Sequence, residues 1–117
     1  MINIISPSRY LLEKKELKKT ISIYLDQKGL DDTIDINLIF IGKRKMRFIA
    51  STYKKEDIAL PVLSFDYAED KHITSNLLGE VFLCYPQIVL LAAERNKKVS
   101  EMIIEMIKHG VENLLKG

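Results

Sequence analysis

The side chains in this chain best suited to hold a metal or act as a base are two histidines, His72 and His109, and a single cysteine, Cys84. One cysteine rules out an internal disulfide and a cysteine-based zinc cluster, and it suits a reducing compartment. On a helix, Glu112 lies three residues after His109 and close to the same face, so the pair offers two donors. Zinc sites use three or four protein ligands, so the pair alone falls short. His109 also continues a stripe of Met102 and Met106, with Asn113 next, at the edge of an apolar helix face. That position predicts a half-buried histidine satisfied by its neighbours. His72 falls in a polar loop and is expected to be solvated. Nothing near Cys84 would activate a thiolate, so a small core residue on a strand is the expectation.

The second feature with chemical potential is basic. Lys43, Arg44, Lys45, Arg47, Lys54 and Lys55 gather around one short helical segment, opposed locally by Glu56 and Asp57. Such a patch binds phosphates electrostatically, without reading bases. The plainer reading is a solvated basic helix face. The formal net charge of +2 shows that the chain as a whole is no basic nucleic-acid binder, so any such role must be local. The mixed run Glu13, Lys14, Lys15, Glu16, Lys18 and Lys19 reads as a solvated helix face.

These residues need elements to hold them. A hydrophobic fraction of 47% with 29% charged residues describes a globular chain, and 117 residues suit one domain, 1–117. Residues 3–5 read as a strand. Ser6-Pro7-Ser8 supplies a helix start, followed by Leu11, Leu12, Leu17, Ile21, Tyr24 and Leu25, with Gly29 as the stop. Residues 33–41 begin with the alternation of a strand and end at Gly42. A helix is predicted over 43–53, with Met46, Ile49 and Ala50 inward. Residues 61–65 form a strand whose entry proline places it at a sheet edge or a strand start. A polar loop over 66–75 leads to a strand over 79–85, and a helix follows from Pro86 to Arg95. The helix over 100–115 is the clearest element, because Met102, Ile103, Met106, Ile107, Val111, Leu114 and Leu115 keep the 3.6-residue period. The resulting class is α+β, a mixed sheet of about four strands packed with about four to five helices. The start lacks a basic n-region, and the best apolar run, 88–93, is far too short to span a bilayer. A cytoplasmic location without membrane association is the expectation.

Three blocks spanning about residues 41–117 resemble the YbeY family of bacterial rRNA-maturation endoribonucleases. Residues 53–65, Tyr-Lys-Lys-Glu-Asp-Ile-Ala-Leu-Pro-Val-Leu-Ser-Phe, match a strand block ending V-L-S-F. Residues 78–84, Leu-Gly-Glu-Val-Phe-Leu-Cys, match L-G-[DE]-[IV]-x-[IL]-C. Residues 109–117, His-Gly-Val-Glu-Asn-Leu-Leu-Lys-Gly, match the opening of H-G-x-x-H-L-x-G-x-D-H. Residues 1–40 agree only in outline. The resemblance implies a metal-dependent endoribonuclease acting on ribosomal RNA, with one zinc held by three histidines and a position left open for water. Ribosomal RNA or a ribosomal protein is the implied partner.

The chain departs from that pattern where the chemistry is. The first histidine position is His109. The second falls on Asn113, whose neutral amide is a poor zinc ligand, and the third falls two positions past Gly117. Glu112 occupies a position that is apolar in the family. The family's arginine, a candidate catalytic group that would grip a phosphate bidentately, is replaced by Lys54, a mobile point charge. The family's P-T-D before V-L-S-F becomes Ala59-Leu60-Pro61. Zinc is therefore expected to be weakly held or absent in this chain, and the choice lies between a nuclease and a non-catalytic RNA- or ribosome-binding relative.

Overall fold

The computed structural model describes residues 1–66 and 77–116. Elements run in the order β1 (Ile2–Ile5), α1 (Lys14–Gln27), β2 (Asp35–Ile41), α2 (Lys43–Tyr53), β3 (Val62–Asp66), β4 (Leu77–Cys84), α3 (Tyr85–Glu94) and α4 (Val99–Lys116). The four strands form one sheet in the order β1-β2-β4-β3. β1, β2 and β4 are parallel, and β3 runs antiparallel along the β4 edge. This is the α+β class read from the sequence, and of the two placements the entry proline allowed β3 takes the sheet edge, with Pro61 just ahead of its first residue. Pro61 has no N–H to give, but its carbonyl accepts from the Cys84 backbone N–H at 2.9 Å.

Side chains alternate across the strands and build two unequal cores. On one face Ile36, Leu38, Phe40, Val81 and Leu83 meet the inward stripes of α1, α3 and α4, including Ile21, Ile88, Met102 and Ile107. On the other, Ile41, Leu63 and Cys84 meet Met46 and Ile49 of α2. Cys84 is fully buried, and burial pushes its thiol above the usual value, as expected for a core residue. The register places Leu63 opposite Phe82 and Ser64 opposite Val81, so the V-L-S-F and L-G-E-V-F-L-C blocks are paired neighbours with α4 packed across them.

The first helix corrects the sequence reading. It begins at Lys14, not at Ser6-Pro7-Ser8, and Leu11 and Leu12 precede it. The Ser6 hydroxyl donates to the Pro7 carbonyl instead of capping a helix, and Tyr10 closes a turn back onto the same carbonyl. The segment is spent reaching from the end of β1 to α3, where the Tyr10 ring stacks on Tyr85 with centroids 4.4 Å apart. Gly29 does stop α1, at a φ of 81° that a side chain would resist. Leu115, counted with the apolar stripe of α4, is exposed.

α4 sits against β3 and β4 through two glycines. A Cβ on Gly110 would lie 2.5 Å from Val81 Cγ1, and one on Gly79 would lie 2.4 Å from the Phe65 carbonyl oxygen and 2.7 Å from Leu114 Cδ2. The Ser64 hydroxyl donates to the Gly110 carbonyl at 2.8 Å, tying the helix to the edge strand. Replacing a strand glycine by alanine gains about 0.5–1 kcal/mol from the unfolded chain where the site is open. At Gly79 the obstacle is backbone, so overpacking at a cost of about 1–3 kcal/mol wins. We expect Gly79→Ala to lower the urea midpoint at unchanged m value; an unchanged or higher midpoint would show that the contact is not tight.

Candidate functional site

α4 carries the histidine block on the large-core side of the sheet. Gly110 faces the strands, which turns its neighbour His109 outward. His109 is exposed, contrary to the half-buried position expected from the methionine stripe, because the close approach at Gly110 fixes the rotation of the helix. It lines a small cleft of about 330 Å³ with Pro61, Val62, Leu91, Arg95, Glu105 and Met106. Asn113, one turn on, is also exposed.

Neither acidic neighbour completes a metal site. Glu105 is held by Lys97 at 2.9 Å and Arg95 at 3.6 Å, and the Lys97 hydrogen bond keeps its carboxyl below the ordinary range. Glu112, considered above as a second donor beside His109, is engaged by α1. Lys28 Nζ lies 3.0 Å from it and the Tyr24 hydroxyl donates to it at 2.9 Å, and these hydrogen bonds hold its carboxyl low. His72 lies outside the described residues. Among the described residues no three His, Cys, Asp or Glu side chains converge. One imidazole, one amide and two committed carboxylates do not fit zinc.

The basic residues stand on the opposite face of the sheet, and the structure divides them. Lys43, Arg44 and Lys45 form the first turn of α2, exposed and in no ion pair among the described residues. Cations at a helix N-terminus oppose the macrodipole, and Gly42 provides no side-chain cap there. Arg47 is tied to Asp57 at 3.0 Å. Lys54 is the C-cap of α2 and Lys55 follows with a φ of 56°, so both stand at the far end of the helix, roughly 16 Å along its axis. What reads as one cluster is therefore a free group of three, one neutralised arginine and a separate pair.

The free group borders a cleft of about 840 Å³ between the ends of β1 and β2 and the start of α2. Two of its residues went unnoticed in the sequence, Arg9 and Phe48. The spacing of Phe48 from Arg44 (i+4) and Lys45 (i+3) was the available signal, since it puts an aromatic ring on the cationic face. Arg9 carried none, because it reaches the cleft only through the irregular segment before α1.

The family model of endoribonuclease YbeY matches residues 7–115. The chain belongs to that family. Endoribonuclease YbeY of Finegoldia magna is 32% identical over 100 residues, which cover 86% of this chain and 65% of that protein. The Alteromonas mediterranea protein of the same name is 30% identical over 86% of this chain and 63% of its own length. The one from Malacoplasma penetrans is 27% identical over 97% and 77%. The chain thus spans slightly less than two thirds of the first two relatives. The solution structure of TM1509 from Thermotoga maritima aligns with a TM-score of 0.63 at 20% identity, covering 97% of this chain and 71% of that one, a likeness of fold.

For this YbeY-family chain we expect zinc far below one ion per chain after mild dialysis, measured by elemental analysis. Asn113→His should raise affinity only modestly, since it supplies a second imidazole where three donors are needed. Stoichiometric zinc resistant to chelator would show a donor set beyond those described.

The Tyr24–Glu112–Lys28 contact has its own signature. Burial first, and Glu112 second, push the Tyr24 hydroxyl up to about 12. A folded value above the unfolded one of about 10 means that the stability it lends is complete below about pH 10 and is lost as pH rises through about 12. Urea midpoints should therefore fall across that window, and Tyr24→Phe should flatten the fall.

Proposed function

We propose that this YbeY-family chain takes part in ribosomal RNA maturation by binding RNA, and that residues 1–117 do not carry out zinc-dependent cleavage unaided. Family membership supports the RNA partner, and the free cations of α2 supply the means to hold phosphate. Asn113 at the second ligand position, exposed beside an exposed His109, carries the distinction between binding and cleavage. Lys54 at the family's arginine position agrees with it, because an ammonium cannot form the bidentate grip of a guanidinium. A ribosomal protein contact and a cytoplasmic location belong to the same proposal. Among the described residues no helix is long and apolar enough to cross a membrane.

One observation favours a second reading, cleavage with donors supplied by a partner chain or by residues outside those described. His109 stands at the first ligand position, exposed and with no hydrogen bond among the described residues, so a ring nitrogen is available to a metal.

The two readings separate in one experiment. Structured rRNA fragments should bind with steep salt dependence and stay intact with added zinc or manganese. Changing Lys43, Arg44 and Lys54 together to glutamine should flatten the slope of log K against log salt by about two to three units if all three touch phosphate. Cleavage that tracks the added metal and vanishes in His109→Ala would establish the nuclease. Neither binding nor cleavage at near-physiological salt would remove both readings.

A further inference from the structure

The cleft at the start of α2 combines three properties that a solvated helix face does not need. Among the described residues every ionisable side chain lining it is cationic: Arg9, Lys43, Arg44 and Lys45. Its floor is apolar, formed by half-buried Ile39 of β2 where the sheet runs out from under α2. At its rim Phe48 is 68% exposed and Ile5 is 53% exposed, an apolar area set directly beside the four cations. Phe48 lies one turn after Arg44 and Lys45, so ring and cations share a helix face. Cations alone would suit any polyanion. Cations around an exposed aromatic ring and an apolar floor suit a polyanion that also offers flat, unstacked faces.

We propose that this cleft seats single-stranded RNA, with one base stacked on Phe48 and backbone phosphates on Arg9, Lys43, Arg44 and Lys45. This rests on the reading of RNA as the partner. The seat is an anchoring site, on the sheet face opposite His109, and it does not overlap the cleft that His109 lines. A duplex keeps its base faces stacked inside and can use the cations but not the ring.

The test uses the 117-residue chain and fluorescently labelled oligouridylate, with a duplex RNA of equal length as comparison. Phe48→Ala should weaken single-strand binding about 5- to 150-fold, the effect of losing one base–aromatic stack, and leave the salt slope and the duplex affinity unchanged. Changing Lys43, Arg44 and Lys45 together to glutamine should lower the single-strand salt slope by about two units. All four positions are exposed or at the cleft rim, and thermal melts of each variant separate a lost contact from a lost fold. Unchanged single-strand affinity in folded Phe48→Ala would overturn the seat. So would loss confined to a Lys54→Gln, Lys55→Gln variant, which would keep RNA as the partner and move the site to the other end of α2. No oligouridylate or duplex binding by the unaltered chain would remove the RNA reading itself. Tight polyglutamate binding, lost in the triple variant and indifferent to Phe48→Ala, would assign the cleft to an acidic protein segment instead.

Discussion

The approach of α4 to the β3–β4 pair is the contact on which the other positions depend. Gly110 and Gly79 remove the two Cβ atoms that would hold helix and sheet apart, and Ser64 fastens the Gly110 carbonyl to the edge strand. With that distance set, the rotation of α4 is set as well. Met102, Met106 and Val111 go inward, His109 and Asn113 go outward, and Glu112 turns toward α1. The same contact lets β3 close the sheet at its antiparallel edge, because Val62 and Ser64 find their partner in the helix backbone.

From this follows a division of the molecule by sheet face. The large core lies under α1, α3 and α4, and the histidine position is carried on its outer surface. The small core lies under α2 alone, an 11-residue helix too short to cover the sheet face opposite the large core. The part of that face belonging to β1 remains open, and its exposed Ile5 and the ring of Phe48 border the free cations. A strand surface left uncovered by apolar neighbours, yet rimmed by one sign of charge, is well placed to meet a charged partner.

The two exposed positions His109 and Asn113 show how far surface chemistry on α4 is independent of the frame. The family match runs through residues 7–115, and the packing glycine beside His109 is kept. Asn113 is exposed, so the residue at this position has little bearing on the packing. An exposed helix position can lose an imidazole without disturbing the fold, whereas Gly110 cannot gain a methyl group without moving Val81.

The sequence by itself determined the elements that period alone can specify. The bounds of α2, the inward residues of α4 apart from Leu115 and the burial of Cys84 follow from apolar spacing and residue type, which are local properties, while the proline before β3 left a sheet edge and a strand start both open. Three things were decided only by tertiary structure. The start of α1 was set by the crossing from β1 to Tyr85, a distance that no local cap encodes. The exposure of His109 was set by the rotation that Gly110 imposes on α4. The basic residues, adjacent in sequence, were separated because a helix puts its two ends far apart and because Asp57, ten residues on, claims Arg47. Arg9 joined them from a different segment. Charge is legible in a sequence, but which charges remain free and which face each other depends on packing between distant parts of the chain.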